Sequence, residues 1–243
     1  MHNTILTAAR TRQALLPLAC CLIASVAQAT SPTAAITIHD SANESTSLSL
    51  SSLLSTTSDG SVLLTDYADG TNLNALAGIA SGNLVASTFN GQAAVTWTSA
   101  DALSSVIFTA TGKGDPEMTY GFYVKNSTSL TQTYTITYGE DIDPAFSGSY
   151  NLTATLGGSL SNTDGSATIA PTASKVQSLQ VFDGVNYVNA GVDIGTAFTS
   201  NTKGTATYGS YATTTSGSIA QPWTSWRFVS QFTLTGKGDV FTA

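Results

Sequence analysis

Apolar and polar residues alternate along most of the chain with a period of two, the pattern of a strand with one buried face. The clearest case is Thr131-Gln-Thr-Tyr-Thr-Ile-Thr-Tyr138. There Thr131, Thr133, Thr135 and Thr137 share one face, and Tyr134, Ile136 and Tyr138 share the other. The preceding run Met118-Thr-Tyr-Gly-Phe-Tyr-Val-Lys125 places Met118, Tyr120, Phe122 and Val124 together. Between them Asn126-Ser-Thr-Ser129 is rich in turn formers, so the two runs predict an antiparallel hairpin. Similar runs predict strands over 34–39, 61–67, 83–88, 92–98, 104–111, 150–156, 175–182, 185–189, 203–209 and 226–235. A short helix is expected over 68–82, and the Ser/Thr/Ala-rich stretches 40–58 and 209–221 are expected to be loops. Many short strands with almost no helical periodicity predict an all-β fold: an antiparallel β-sandwich, jelly-roll-like, rather than a parallel sheet.

The first residues stand apart from this pattern. Arg10 and Arg12 precede an apolar run from Leu15 to Val26, and Ala27-Gln28-Ala29 supplies small residues for cleavage. This is the layout of a secretory signal peptide over 1–29, with a run shorter than the ~20 residues a membrane-spanning helix needs. The remainder, 30–243, reads as a single β-sandwich domain, because no Pro-rich linker divides it. Cys20 and Cys21 are the two cysteines of the chain, and both lie in the leader, so the exported part carries neither disulfide nor thiolate chemistry. The expected location is secreted or extracellular, with the periplasm as the alternative.

The formal net charge of the whole chain is −7. Six of the eight Lys and Arg remain after the leader against all fifteen Asp and Glu, which leaves the exported part near −9. No basic run exists, which argues against nucleic acid as a partner, and no further apolar segment is long enough to span a bilayer. Ser and Thr, about a third of the exported chain, keep the surface wet through hydroxyls in place of charges.

One short motif recurs. Phe108-Thr-Ala-Thr-Gly-Lys-Gly-Asp115 and Phe232-Thr-Leu-Thr-Gly-Lys-Gly-Asp239 match at seven of eight positions. Each reads as a strand followed by its stop, since paired glycines admit positive φ and Asp favours a turn. Two accounts are open. Gly112, Lys113, Gly114 and Asp115 with Gly236, Lys237, Gly238 and Asp239 are structural turns, or the loops hold a ligand or cation through backbone amides and the two aspartates. The structural account is the one adopted. The two strands are expected either side by side or in equivalent places in two sheets.

Reactive constellations are sparse. His39 is the one histidine of the exported part, and no Gly-x-Ser-x-Gly elbow accompanies it, so no catalytic residue is assigned. Glu140, Asp141 and Asp143 form the densest acidic cluster, expected in a loop after a strand, and are the candidate ligands for calcium. No other cofactor is implied. A carboxylate pair drawn from Glu140 and Glu117 leaves a glycoside hydrolase as a formal alternative. Trp223 and Trp226 are the candidate ligand-binding residues, because an exposed indole stacks on sugar rings, and Trp223 is expected to be the more exposed of the two.

Tyr120-Gly-Phe-Tyr-Val-Lys-Asn-Ser-Thr, Gln132-Thr-Tyr-Thr-Ile-Thr-Tyr, Gly191-Val-Asp-Ile-Gly195 and the closing Trp226-to-Asp239 strand follow one another in a recognisable order. This order resembles exported proteobacterial proteins that carry a PEP-CTERM sorting tail. The resemblance covers about 100–240 and is a pattern of strands and Thr-rich turns. The sequence stops at Phe241-Thr-Ala243 without the Pro-Glu-Pro motif, apolar helix and basic end of that family. The resemblance implies export and association with surface polymer or biofilm matrix, and it transfers no site residues. The resulting expectation is a secreted non-catalytic protein of the cell surface or extracellular matrix. It would be adhesive or carbohydrate-associated, with extracellular polysaccharide or other matrix proteins as partners. A self-assembling structural subunit is the alternative.

Overall fold

A computed structural model describes residues 33–39, 45–56, 61–79, 81–113 and 117–243. The leader and its two cysteines lie outside these residues. Along the chain the strands are β1 (Thr33–His39), β2 (Ser45–Ser49), β3 (Leu54–Thr56), β4 (Ser61–Leu64), β5 (Asn83–Phe89) and β6 (Gln92–Thr98). Next come β7 (Ser104–Lys113), β8 (Glu117–Asn126), β9 (Gln132–Phe146), β10 (Ser149–Asn162), β11 (Ala167–Pro171) and β12 (Gln177–Phe182). The last are β13 (Tyr187–Ile194), β14 (Phe198–Ser200), β15 (Gly204–Ser218), β16 (Trp223–Leu234) and β17 (Asp239–Thr242).

They form two antiparallel sheets packed face to face. Sheet one runs β13-β12-β16-β9-β1-β2, with β11 also beside β16 and β14 beside β11. Sheet two runs β15-β10-β17-β8-β7-β4-β3, with β6 beside β7 and β5 beside β6. The fold is an all-β sandwich, as the alternation predicts. No helix among the described residues is long and apolar enough to cross a membrane.

The expected hairpin of 118–125 with 131–138 does not form. β8 pairs with β7 and β17 in sheet two, whereas β9 pairs with β1 and β16 in sheet one. The turn between them is an arch that carries the chain from one sheet to the other. Alternation fixes which face of a strand is buried, and both strands do bury the predicted face. It does not say whether those faces point the same way in one sheet or towards each other across two. Here they face each other. Tyr120 and Tyr138 lie 5.9 Å apart by ring centroid, and Phe122 of β8 stacks on Phe232 of β16 at 5.7 Å.

Two more arches cross at the same end of the sandwich: 163–166 between β10 and β11, and 235–238 between β16 and β17. Each arch is organised by a buried polar side chain. Asn126, fully buried, donates to the carbonyls of Leu130 (2.8 Å) and Leu234 (2.9 Å), and its Oδ1 accepts from Thr128. Asn162 donates to Ser200 O at 2.9 Å and accepts from the amides of Asp164 and Gly165. Backbone polar groups that leave a ladder inside the protein need such partners, because a buried unpaired group costs roughly 1–3 kcal/mol.

The core between the sheets is continuous and aromatic. Phe232 meets Tyr134 at 5.7 Å and Phe241 at 5.2 Å, and Phe241 meets Tyr208 at 4.9 Å. Burying side chains of this size stabilises by about 1.5–3 kcal/mol each. The Tyr120 hydroxyl is buried too. It bonds Ser230 Oγ at 2.6 Å and accepts from Gln177 at 2.9 Å, and burial raises its pKa to about 12.

Two further expectations are corrected. No helix occurs among the described residues of 68–82, and asparagine side chains tie this stretch to itself and to the start of β5. Asn72 Oδ1 accepts from the Asn74 amide at 3.0 Å, and Asn74 Oδ1 accepts from the Leu84 amide at 2.6 Å. The chain then turns at Gly78 with φ +63°. The second correction concerns the expected loops: β2 and β3 lie within 40–58, and 209–221 is not a loop either. Most of it belongs to β15, which pairs with β10 from Gly204 to Ser218.

Candidate functional site

The two copies of the repeated motif sit in different sheets and at opposite ends of β8. In the first, Gly112 and Lys113 lie inside β7, aligned with Met118 and Glu117 at the start of β8. Gly114 and Asp115 fall outside the described residues. In the second, Gly236, Lys237 and Gly238 form the arch from β16 to β17, and Asp239 is aligned with Asn126 at the other end of β8. Ten residues of β8 separate these ends, roughly 30 Å at the rise of an extended strand.

The second copy is bound tightly into the arch cluster. The Lys237 amide donates to Thr128 O at 2.6 Å and the Gly238 amide to Asn126 O at 2.8 Å. Gly238 has φ +94° and Lys237 φ +66°. A Cβ on Gly236 would run into the Thr128 and Leu130 carbonyls. Asp239 is fully buried, and Thr235 Oγ1 donates to its Oδ2 at 2.6 Å. Burial raises its pKa above the usual carboxylate range. The Lys237 ammonium pairs with Asp164 at 3.3 Å on the surface.

The acidic cluster is not in a loop. Glu140, Asp141 and Asp143 all lie within β9, so neighbouring side chains point to opposite faces. Glu140 is buried and accepts from the Tyr138 hydroxyl at 2.7 Å, while Asp141 is exposed on the other side. Burial raises the Glu140 pKa. No group of three His, Cys, Asp or Glu able to hold a metal occurs among the described residues. Glu117 opens β8 opposite Lys113. His39 ends β1, aligned with Thr133 and Ser45.

The tryptophans are also displaced from their expected setting. Trp223 is not exposed but 7% accessible, and Trp226 is 8% accessible. Trp223 opens β16 and packs on Tyr150 of the opposite sheet at 4.8 Å and on Phe146 at 6.1 Å. The β9–β16 register shifts between Trp223 and Ser225, and that irregularity lets both indoles bury despite their odd spacing. Neither ring offers a free face for a sugar.

A cleft that the sequence reading does not single out lies on the outer face of sheet two. The β5–β6 turn forms its lip: Asn90 (φ +51°) and Gly91 (φ +79°) make a two-residue turn with positive φ at both positions, as Asn-Gly favours. A cavity of about 350 Å³ lies below it, reaching Thr109 and Thr119 on one side and Ser159 and Thr242 on the other. Its floor is bare because Gly121, Gly157 and Gly158 put no side chain there. On Gly121 a Cβ would meet Thr109 Oγ1, and on Gly158 it would meet the Thr242 carbonyl. Phe89 lines the wall and rests edge-on against Tyr123 at 6.3 Å. The exposed amides of Asn90 and Gln92 overhang the opening, and no Asp, Glu, Lys, Arg or His side chain lines it. A second hollow of about 460 Å³ shares Gln92 and Thr109 with it and carries one carboxylate, Asp66. The Asn90-Gly91 pair is the only local signal for this place, and it announces a turn rather than a cleft.

The chain matches no protein-family model and no curated protein. Among solved structures it is similar to TmCBM61, which was determined in complex with β-1,4-galactotriose. Identity is 10% and the TM-score 0.21, over 56% of this chain and 76% of that one. A likeness of that extent carries no argument about function.

Proposed function

We propose that the protein is an exported, non-catalytic β-sandwich of the cell surface or extracellular matrix that binds neutral polysaccharide in the Gln92 cleft. The observation that carries this reading is the chemistry of the cleft: hydroxyls and side-chain amides around a glycine floor, one aromatic wall, and no charged side chain. Sugar hydroxyls are matched by such donors and acceptors, while a phosphate or carboxylate ligand would require a cation. Sparse charge and Ser/Thr-rich outer faces support a setting of hydrated polymer. Export and matrix association rest on the leader and on the resemblance to sorting-tail proteins. The role assigned to Trp223 and Trp226 passes to Phe89, Asn90 and Gln92.

A glycan array of neutral and acidic oligosaccharides, followed by titration calorimetry, tests this. Binding to neutral glycans, weakened about five- to thirtyfold by Gln92→Ala or Phe89→Ala, is expected, since each lost contact of this kind is worth about 1–2 kcal/mol. Trp223→Ala should leave per-molecule affinity unchanged. Silence across the array, or binding indifferent to both cleft substitutions, would sink the reading.

A further inference from the structure

We infer that β15 is the surface through which two copies of this chain pair, edge to edge and antiparallel, extending sheet two across a two-fold axis. A strand at the edge of a sheet presents unpaired amides and carbonyls, and proteins normally blunt it with short length, charge, proline, bulges or a cover. The other edges among the described residues are managed in these ways. β2, β3 and β14 have five, three and three residues. β13 carries Asp193 and an irregular register with β12. β5 is covered by the preceding loop, through Gly70 N to Ala86 O and Ala86 N to Thr71 O, both 2.9 Å.

β15 is the exception. It spans 15 residues, Gly-Thr-Ala-Thr-Tyr-Gly-Ser-Tyr-Ala-Thr-Thr-Thr-Ser-Gly-Ser, without one charge or proline. Its one strand partner is β10, and its one register shift falls opposite Gly158/Ser159, leaving Gly209–Ser218 in unbroken register. β13 approaches β15 at Gly191 beside Thr215 Oγ1, and β15 remains the end strand of sheet two.

A second copy is the occupant that fits. An antiparallel edge is complementary to itself, since the two-fold turns each donor onto an acceptor. The net charge of the exported part, near −9 (six Lys and Arg against fifteen Asp and Glu), opposes the approach of two copies elsewhere, and this edge carries none of it. Its side chains already make the contacts such a joint would repeat. Thr214 meets Thr153 at 3.1 Å and Thr205 meets Ser161 at 2.8 Å across the β10 side. An edge of ten residues, ~34 Å long and ~10 Å thick, buries roughly 700 Å² in total, the size of a weak and concentration-dependent contact.

The test is sedimentation velocity of the purified protein from ~10 µM to ~1 mM, the range in which a contact of this size populates. Self-association rising with concentration is expected. The exposed pair Ala212 and Thr214 points outward, so A212K/T214K and A212E/T214E should each be monomeric, with unchanged circular dichroism. Mixing the two variants should restore pairing, because opposite charges then face each other. A wild-type monomer throughout the range would overturn the inference. So would association that persists in both double variants, or a mixture that stays monomeric.

Discussion

Phe108–Lys113 and Phe232–Asp239 begin with nearly the same residues and end in different structures. In both, the phenylalanine is fully buried, and the next residue, Thr109 or Thr233, lies on the other face of its strand. There the likeness ends. In the first copy Gly112 and Lys113 continue β7 towards its partner β8 in the same sheet. In the second the same tripeptide leaves β16 and delivers the chain to the opposite sheet. The local sequence sets that a strand should stop near the glycines. What the stop becomes depends on what lies beside it, and in the second copy the Thr128 and Asn126 carbonyls of a neighbouring arch receive the Lys237 and Gly238 amides.

The comparison can be tested from its strongest contact downwards. Phe232→Ala should cost about 3–5 kcal/mol, since the ring touches Phe122, Tyr134 and Phe241 and leaves a cavity between the sheets. Phe108→Ala should fall in the same range, and denaturant unfolding of the pair checks that both copies anchor one core. Next comes Gly236→Ala, expected to destabilise by about 1–3 kcal/mol because the added carbon meets backbone carbonyls that cannot swing aside. Gly112→Ala is the matched control, and an equal loss at both sites would show that the arch is not what distinguishes them.

The aspartate is the next probe. Burial raises the Asp239 pKa above 3.8, so the folded protein keeps its proton to higher pH than the unfolded chain does. The associated stability is present below the ordinary carboxylate pKa and is lost as pH rises through the folded value. Buried Glu140, raised above 4.5, acts with the same sign. Asp239→Asn should therefore gain Tm relative to wild type as pH goes from about 3 to about 7, a trend a thermal scan series reads directly. A variant-minus-wild-type difference that stays constant across that range would exclude the mechanism. Smallest of all is Lys237→Ala. Its ammonium meets Asp164 at 3.3 Å with 66% of the side chain exposed, where solvent and salt screen the pair, so the unfolding midpoint should stay nearly unchanged.

The same division between local and tertiary information runs through the rest of the molecule. Tyr134, Ile136 and Tyr138 could be assigned to the core from their spacing, and they are fully buried. Which strand lies beside them could not, because β9 reaches β1 and β16, about a hundred residues away in sequence on each side. The first part of β15 is legible as a strand over 203–209, but 210–218 reads as a loop because Thr, Ala, Gly and Ser on both faces give little alternation, and its strand character comes from pairing with β10. Trp223 was misplaced because its burial depends on a register irregularity and on Tyr150 in the other sheet. The candidate cleft was hidden for a related reason. Gly121, Gly157 and Phe89 come from three separate strands, and nothing in any one segment says that they share a hollow.

What the sequence alone determined is the class of the fold and the faces of its strands, since alternate-residue burial is written locally and holds whatever the neighbour. It also determined the scarcity of reactive groups. The tertiary structure alone decided which strands pair, where the chain crosses from sheet to sheet, and which glycines and amides meet around the cleft. Those choices depend on contacts between residues far apart along the chain, whose free energy no local window contains.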